Sequence, residues 1–169
     1  MSRIRGTLDI ARPVEDVFDF VADQRNEPAY NPRMTASTML TNDPIGVGTR
    51  FAATMLSRGK PLHVMIEVTG FDRPRRVATR SVMAGAVVEG EVRLEPTLEG
   101  TRFFWDWTVT LGGPGRFAGP AIALIGRHQE KTIWTGLKHH LEQDVSGEAQ
   151  GEKRADAQRD EPERHGVDG

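Results

Sequence analysis

The amino-acid sequence predicts an α+β fold: a curved, seven-stranded antiparallel sheet wrapped around one long C-terminal helix, with two short helices between the first two strands. Three observations carry this. The stretch 34–112 consists of β-branched and aromatic runs separated by turn residues. Residues 117–143 run without a strong internal breaker apart from Pro120 near their start. A single strand-like segment and a short amphipathic stretch precede the β-rich region.

Residues 3–11 alternate around Ile4, Leu8 and Ile10 and read as the first strand. Pro13 suits the first position of a helix, Glu15 and Asp16 favour its positive N-terminal end, and Val14, Val17, Phe18 and Val21 follow at helical spacing to about Asp23. Residues 26–33 hold two prolines, so they form a turn or a second short helix, anchored by Tyr30. Six antiparallel strands then follow. Turns are expected at Asn42–Gly48, Ser57–Pro61, Asp72–Pro74, Ala84–Gly85 and Leu98–Gly100. Leu62, Val64, Ile66 and Val68 alternate with His63, Met65, Glu67 and Thr69, so the first set faces inward. In the last strand Phe103, Trp105, Trp107, Val109 and Leu111 share a face and form an apolar wall, opposite Arg102, Asp106, Thr108 and Thr110. Asp106 is expected to meet Arg93 or Arg102 across the strands.

Gly112, Gly113, Pro114 and Gly115 mark the entry to the long helix and are a candidate hinge. Its inner side is read as Ala121, Leu124, Ile125, His128, Thr132, Leu137 and Leu141. Arg127, Glu130, Lys131 and Lys138 are read as its solvated face. The domain is placed at residues 1–143. Residues 144–169 carry eight Asp/Glu and four Lys/Arg with Val167 as the only large aliphatic residue after Ser146, so a disordered, charged tail is expected.

Composition narrows the function. With 169 residues, 37% hydrophobic and 27% charged, the chain is an ordinary globular one. It lacks the roughly 18 consecutive apolar residues of a membrane span and the pattern of a signal peptide, so a cytoplasmic location is expected. The absence of cysteine removes disulfides, thiolate nucleophiles, iron–sulfur clusters and Cys-containing zinc sites. A net charge of −2 gives no reason to expect nucleic acid. There is no HExxH, no GxGxxG before a helix and no GxxxxGK[ST], so neither a metal nor a cofactor is expected. Adjacent His139 and His140 point about 100° apart on a helix and cannot face one metal together. Arg73, Arg75 and Arg76 crowd one turn and read as solubilising.

The segments IARPVEDVFDFVADQRNEPAYNP, GVGTRF at Gly46–Phe51, VTGFDRPRRVATRS and LEPTLEGTRFFWDWTV, in this order and spacing, resemble the SRPBCC or START-like helix-grip superfamily. That group includes polyketide cyclase/dehydrase-like proteins, coenzyme Q-binding proteins and Bet v 1 type ligand binders. The resemblance covers residues 3–143 and implies a hydrophobic cavity between sheet and helix that takes a lipid, polyketide, quinone or aromatic compound. Such sites are mostly apolar with a few polar groups, and the apolar faces nominate Tyr30, Phe51, Met55, Val64, Thr79, Ser81, Trp105, Trp107, Leu124 and His128 as ligand-binding residues. His128 is the candidate catalytic residue, because an imidazole exchanges protons near neutral pH. Tyr30, Thr79 and Ser81 are candidate donors to an oxyanion. Three functions stay open: a binder of a small hydrophobic molecule, a cyclase/dehydratase-type enzyme using the same cavity, and an interaction module whose protein partner is unknown.

Overall fold

Alternating side chains decide the architecture, and the computed structural model, which describes residues 1–57, 59–112 and 130–143, bears out the predicted order of elements. Strand β1 (Ser2–Ile10) leads into helix α1 (Val14–Ala22), a 3-10 helix (Gln24–Ala29) and then strands β2 (Met34–Met39), β3 (Arg50–Ser57), β4 (Lys60–Asp72), β5 (Arg76–Met83), β6 (Ala86–Thr97) and β7 (Gly100–Leu111). Residues 130–143 are helical and are named α2 here. The seven strands form one sheet in the order β1-β7-β6-β5-β4-β3-β2, antiparallel throughout. Leu124 and His128, the Gly113–Gly115 part of the hinge, most of the inner-side residues assigned to the long helix and the 144–169 tail lie outside the described residues.

Pro13 stands just before α1 rather than at its first position, with ψ at 147°, and Val14 opens the helix. Glu15 and Asp16 occupy the first turn as expected, and Val14, Val17, Phe18, Val21 and Ala22 are buried. Asp23 stops the helix in an extended conformation, and its side chain accepts the Arg25 N–H to start the 3-10 turn. Pro28 lies within that turn. The β4 pattern holds: Val64, Ile66 and Val68 are buried while His63, Met65 and Thr69 are exposed. A register shift between Val68 and Gly70 sets Gly70 opposite Ala78 and Phe71 opposite Val77, so Phe71 turns inward and its ring meets Phe18 at 5.2 Å.

The tryptophans of β7 lie across glycines on neighbouring strands. Trp105 opposes Gly6 and Trp107 opposes Gly90. A Cβ on Gly6 would stand 2.2 Å from the Trp105 ring, and one on Gly90 would meet Trp107 at 2.7 Å. A residue without a side chain is required at such close approaches. Gly136 does the same for α2, since a Cβ there would come within 2.5 Å of the Tyr30 carbonyl oxygen. The helix therefore seats directly on the end of the 3-10 turn.

The phase of α2 corrects the expectation. Glu130 is partly buried, Ile133, Trp134, Leu137 and Leu141 are buried, and Thr132 is exposed. The inner stripe therefore runs at i, i+3, i+4, i+7 and i+11 from Glu130, which belongs to it rather than to the solvated face. Trp134 stacks at 4.9 Å from Phe103 and at 6.1 Å from both Tyr30 and Trp105. Lys138 is also turned back onto the protein, donating to the Asp9 carbonyl at 2.6 Å. Glu142 ties the helix to the β1 end by accepting the Ala11 N–H at 2.8 Å.

Exposed ion pairs complete the outer surface. Asp106 meets Arg3 (Nε to Oδ1, 2.7 Å) rather than Arg93 or Arg102, because β1 borders β7 and places Arg3 diagonally beside it. Arg102 sits opposite Asp9 and bonds it at 2.9 Å. In the arginine-rich turn, Arg73 clamps Asp19 of α1 with two bonds of 2.6 and 2.7 Å, and Arg76 reaches Glu91 at 2.6 Å. These arginines therefore brace the fold as well as solvating it.

Candidate functional site

Between α2, the 3-10 turn and the inner face of β3–β7 lies a cavity of about 170 Å³. Its sheet wall is built from Met55 of β3, Val64 and Ile66 of β4, Val77, Thr79, Ser81 and Met83 of β5, Val88 and Val92 of β6, and Trp107 of β7. Alternation places all of these on one face, with Ile66 opposite Ser81 and Thr79 opposite Gly90. Val21 and Met34 close one side, and Ile133 and Trp134 supply the helix wall. The polar end is formed by Gln24, Glu27 and Asn31 around the 3-10 turn and by Glu130 of α2.

Two carboxyls thus open into one mainly apolar space from separate elements. Asn31 donates its side-chain amide to Glu27 Oε1 at 2.6 Å, and the Trp134 indole N–H donates to Glu130 Oε2 at 2.8 Å. Burial pushes Glu27 up to about 7, and the Asn31 bond only partly opposes it. Burial likewise raises Glu130 to about 7, the Trp134 bond lowers it, the charge of Glu27 raises it further, and the Trp107 indole lowers it slightly. Tyr30, buried beside them, has its phenol raised well above 10 by burial first and then by the two carboxylates, so it stays neutral. Carboxyls held near neutrality in a cavity can give or take a proton at physiological pH, which ordinary surface carboxylates do poorly.

Of the residues nominated from sequence, Met55, Val64, Thr79, Ser81 and Trp107 line the cavity. Tyr30, Phe51 and Trp105 do not; they are buried in the surrounding core at 6%, 0% and 6% exposure. The titratable and aromatic lining residues not nominated are Glu27, Glu130 and Trp134. The last two were recoverable from the 130, 133, 134, 137, 141 spacing, whereas Glu27 sits in a short turn with no periodicity to mark it. His63 is exposed on the outer face near Thr54 Oγ1, 3.4 Å away. Among the described residues no group of three or more His, Asp or Glu is placed to hold a metal.

Comparison with known proteins agrees with this geometry. The protein TTHA0849 from Thermus thermophilus superimposes with a TM-score of 0.70 at 20% identity, over 81% of this chain and 94% of that one. A START superfamily protein from Mycobacterium smegmatis gives 0.74 at 16% identity, over 85% and 99%. Ara h 8.0201 gives 0.66 at 14% identity, over 82% and 95%. At these identities the likeness is one of fold. No curated protein matches the chain. The family described as polyketide cyclase / dehydrase and lipid transport matches residues 1–142, and the chain belongs to that family.

Proposed function

We propose that the chain binds a small hydrophobic molecule in the cavity between the sheet and α2, and that the ligand's body is about one ring wide. The observation that carries this is the wall of Val64, Ile66, Val77, Val92, Trp107 and Ile133 around about 170 Å³. A dry cavity of about 150 Å³ suffices for benzene. Of the lipid, polyketide, quinone and aromatic classes, an aromatic compound fits that volume best. Among the described residues no helix is long and apolar enough to cross a membrane, and a cytoplasmic setting is part of this proposal.

The test is native purification, extraction and mass spectrometry of whatever apolar molecule travels with the chain, followed by its return while Trp fluorescence is recorded. Trp107 and Trp134 line the cavity, so a stoichiometric ligand that changes their emission supports the reading. A protein that carries nothing and whose emission no single-ring compound alters counts against it.

A second reading, turnover of the cyclase or dehydratase type, is favoured by the two carboxyls held near neutrality in the same space. There Glu130 takes the acidic proton from a carbon next to a carbonyl and a protonated Glu27 donates to the resulting enolate oxygen. Loss of turnover with retained affinity in Glu130→Gln supports it. His128→Ala is the companion variant, and equal loss of rate and affinity in both sets this reading aside.

A further inference from the structure

Resting on the binding reading above, we propose that the Glu27–Glu130 end of the cavity seats a cationic nitrogen, so that the preferred ligand is a small amine on an apolar body one ring wide. The two carboxyls enter the cavity from different elements, one from the 3-10 turn and one from α2. Their bonding partners, Asn31 and Trp134, are neutral. Such partners satisfy lone pairs without balancing charge.

No lysine, arginine or histidine is among the described residues that line the cavity. Among the described residues, the other polar groups of the cavity are the Gln24 amide and, from the sheet, the Thr79 and Ser81 hydroxyls and the Trp107 indole, and the neutral phenol of Tyr30 lies beside the carboxyls. Buried carboxylates without a counter-cation are costly, and the protein relieves that cost by keeping them protonated part of the time. Among the described residues no cation balances them, and a ligand that brings a positive charge relieves the cost directly and displaces the protons. The indoles of Trp107 and Trp134 suit such a ligand twice over, since their faces attract cations and their bodies bury a ring.

The experiment is titration calorimetry of the full chain at pH 7 and constant salt with three probes of one shape: benzylamine, benzyl alcohol and toluene. Benzylamine is expected to bind at least about tenfold more tightly than benzyl alcohol, the scale of a charge-assisted hydrogen bond. In two buffers of different ionisation enthalpy, its binding is expected to release protons. Glu27→Gln and Glu130→Gln should each erase most of that margin while leaving toluene binding in place, which also shows that the variants are folded. Benzyl alcohol or toluene binding as tightly as benzylamine, or an amine preference unchanged in both variants, overturns the amine assignment and leaves the cavity reading standing. Failure of all three probes to bind overturns both.

Discussion

The inner face of the sheet has two halves that the same alternation builds and that differ in how they are filled. Around α1, Ile10, Val17, Phe18, Leu94, Phe103 and Leu137 are fully buried, and none of them lines the cavity. Around the 3-10 turn, Met55, Met83 and Trp107 are only partly buried, and two carboxyls face them across a cavity. The first half supplies folding energy through close packing. The second gives up some of that energy for open volume and for groups that cost free energy to bury. Binding chemistry and stability are therefore separable by position, and substitutions in each half should show it.

The largest effect is expected at Phe103, whose ring is fully buried and stacks on Trp134. Phe103→Ala should lower the unfolding free energy by about 3–5 kcal/mol, read from urea denaturation. A loss under about 1 kcal/mol would show that the α1 half is not the tightly packed one. Next is Gly136→Ala, at the seam of the two halves. In an open helix interior this change gains up to about 1 kcal/mol. Here the new Cβ meets the Tyr30 carbonyl oxygen, so a loss of about 1–3 kcal/mol is expected. Because the shift would move Glu130 away from Glu27, ligand affinity should fall further than stability does.

The pH dependence of stability should be of similar or smaller size and should come from the cavity half. Glu27 and Glu130 have folded-state values raised from 4.5 to about 7. The folded chain thus binds protons that the unfolded chain has released, and stability falls as pH rises from about 4.5 through 7. Below that window the surface carboxylates Asp9, Asp19 and Asp106, whose values are lowered by bonds from Arg102, Arg73 and Arg3, work in the opposite direction. An optimum near about pH 4, between the two windows, follows. Glu130→Gln should flatten the decline between about pH 5 and 8 in thermal melts, and an unaltered decline would mean that the carboxyl is solvated. The smallest effect is expected at Arg80→Ala, which breaks an exposed pair with Glu89 of 3.0 Å. It should leave the urea midpoint in place.

The same division explains what could be read from the residues alone. Strand alternation such as Val64, Ile66 and Val68, and the Pro13 and Gly100 punctuation, are local signals, so the order of the elements and the apolar sheet wall were legible. Which inward-facing residues touch the cavity was not, because it depends on where α2 sits. Phe51 and Trp105 share the inner face with Trp107, yet the packed core covers them. Glu130 looked like a surface residue because its neighbours Arg127 and Lys131 are charged. The 130, 133, 134, 137, 141 spacing was the signal that its stripe turns inward, and the seating of Gly136 on Tyr30 fixes it there.

The methionines provide the most direct test of the claim that an apolar ligand occupies this cavity. Met34, Met55 and Met83 line it, while Met1 and Met65 are exposed at 92% and 43%. Methyl-labelled NMR spectra recorded as toluene is added should show the Met34, Met55 and Met83 signals shifting together and saturating, with Met1 and Met65 unmoved. Shifts confined to Met65 on the outer face, or no saturable shift at Met34, Met55 and Met83, would contradict the account.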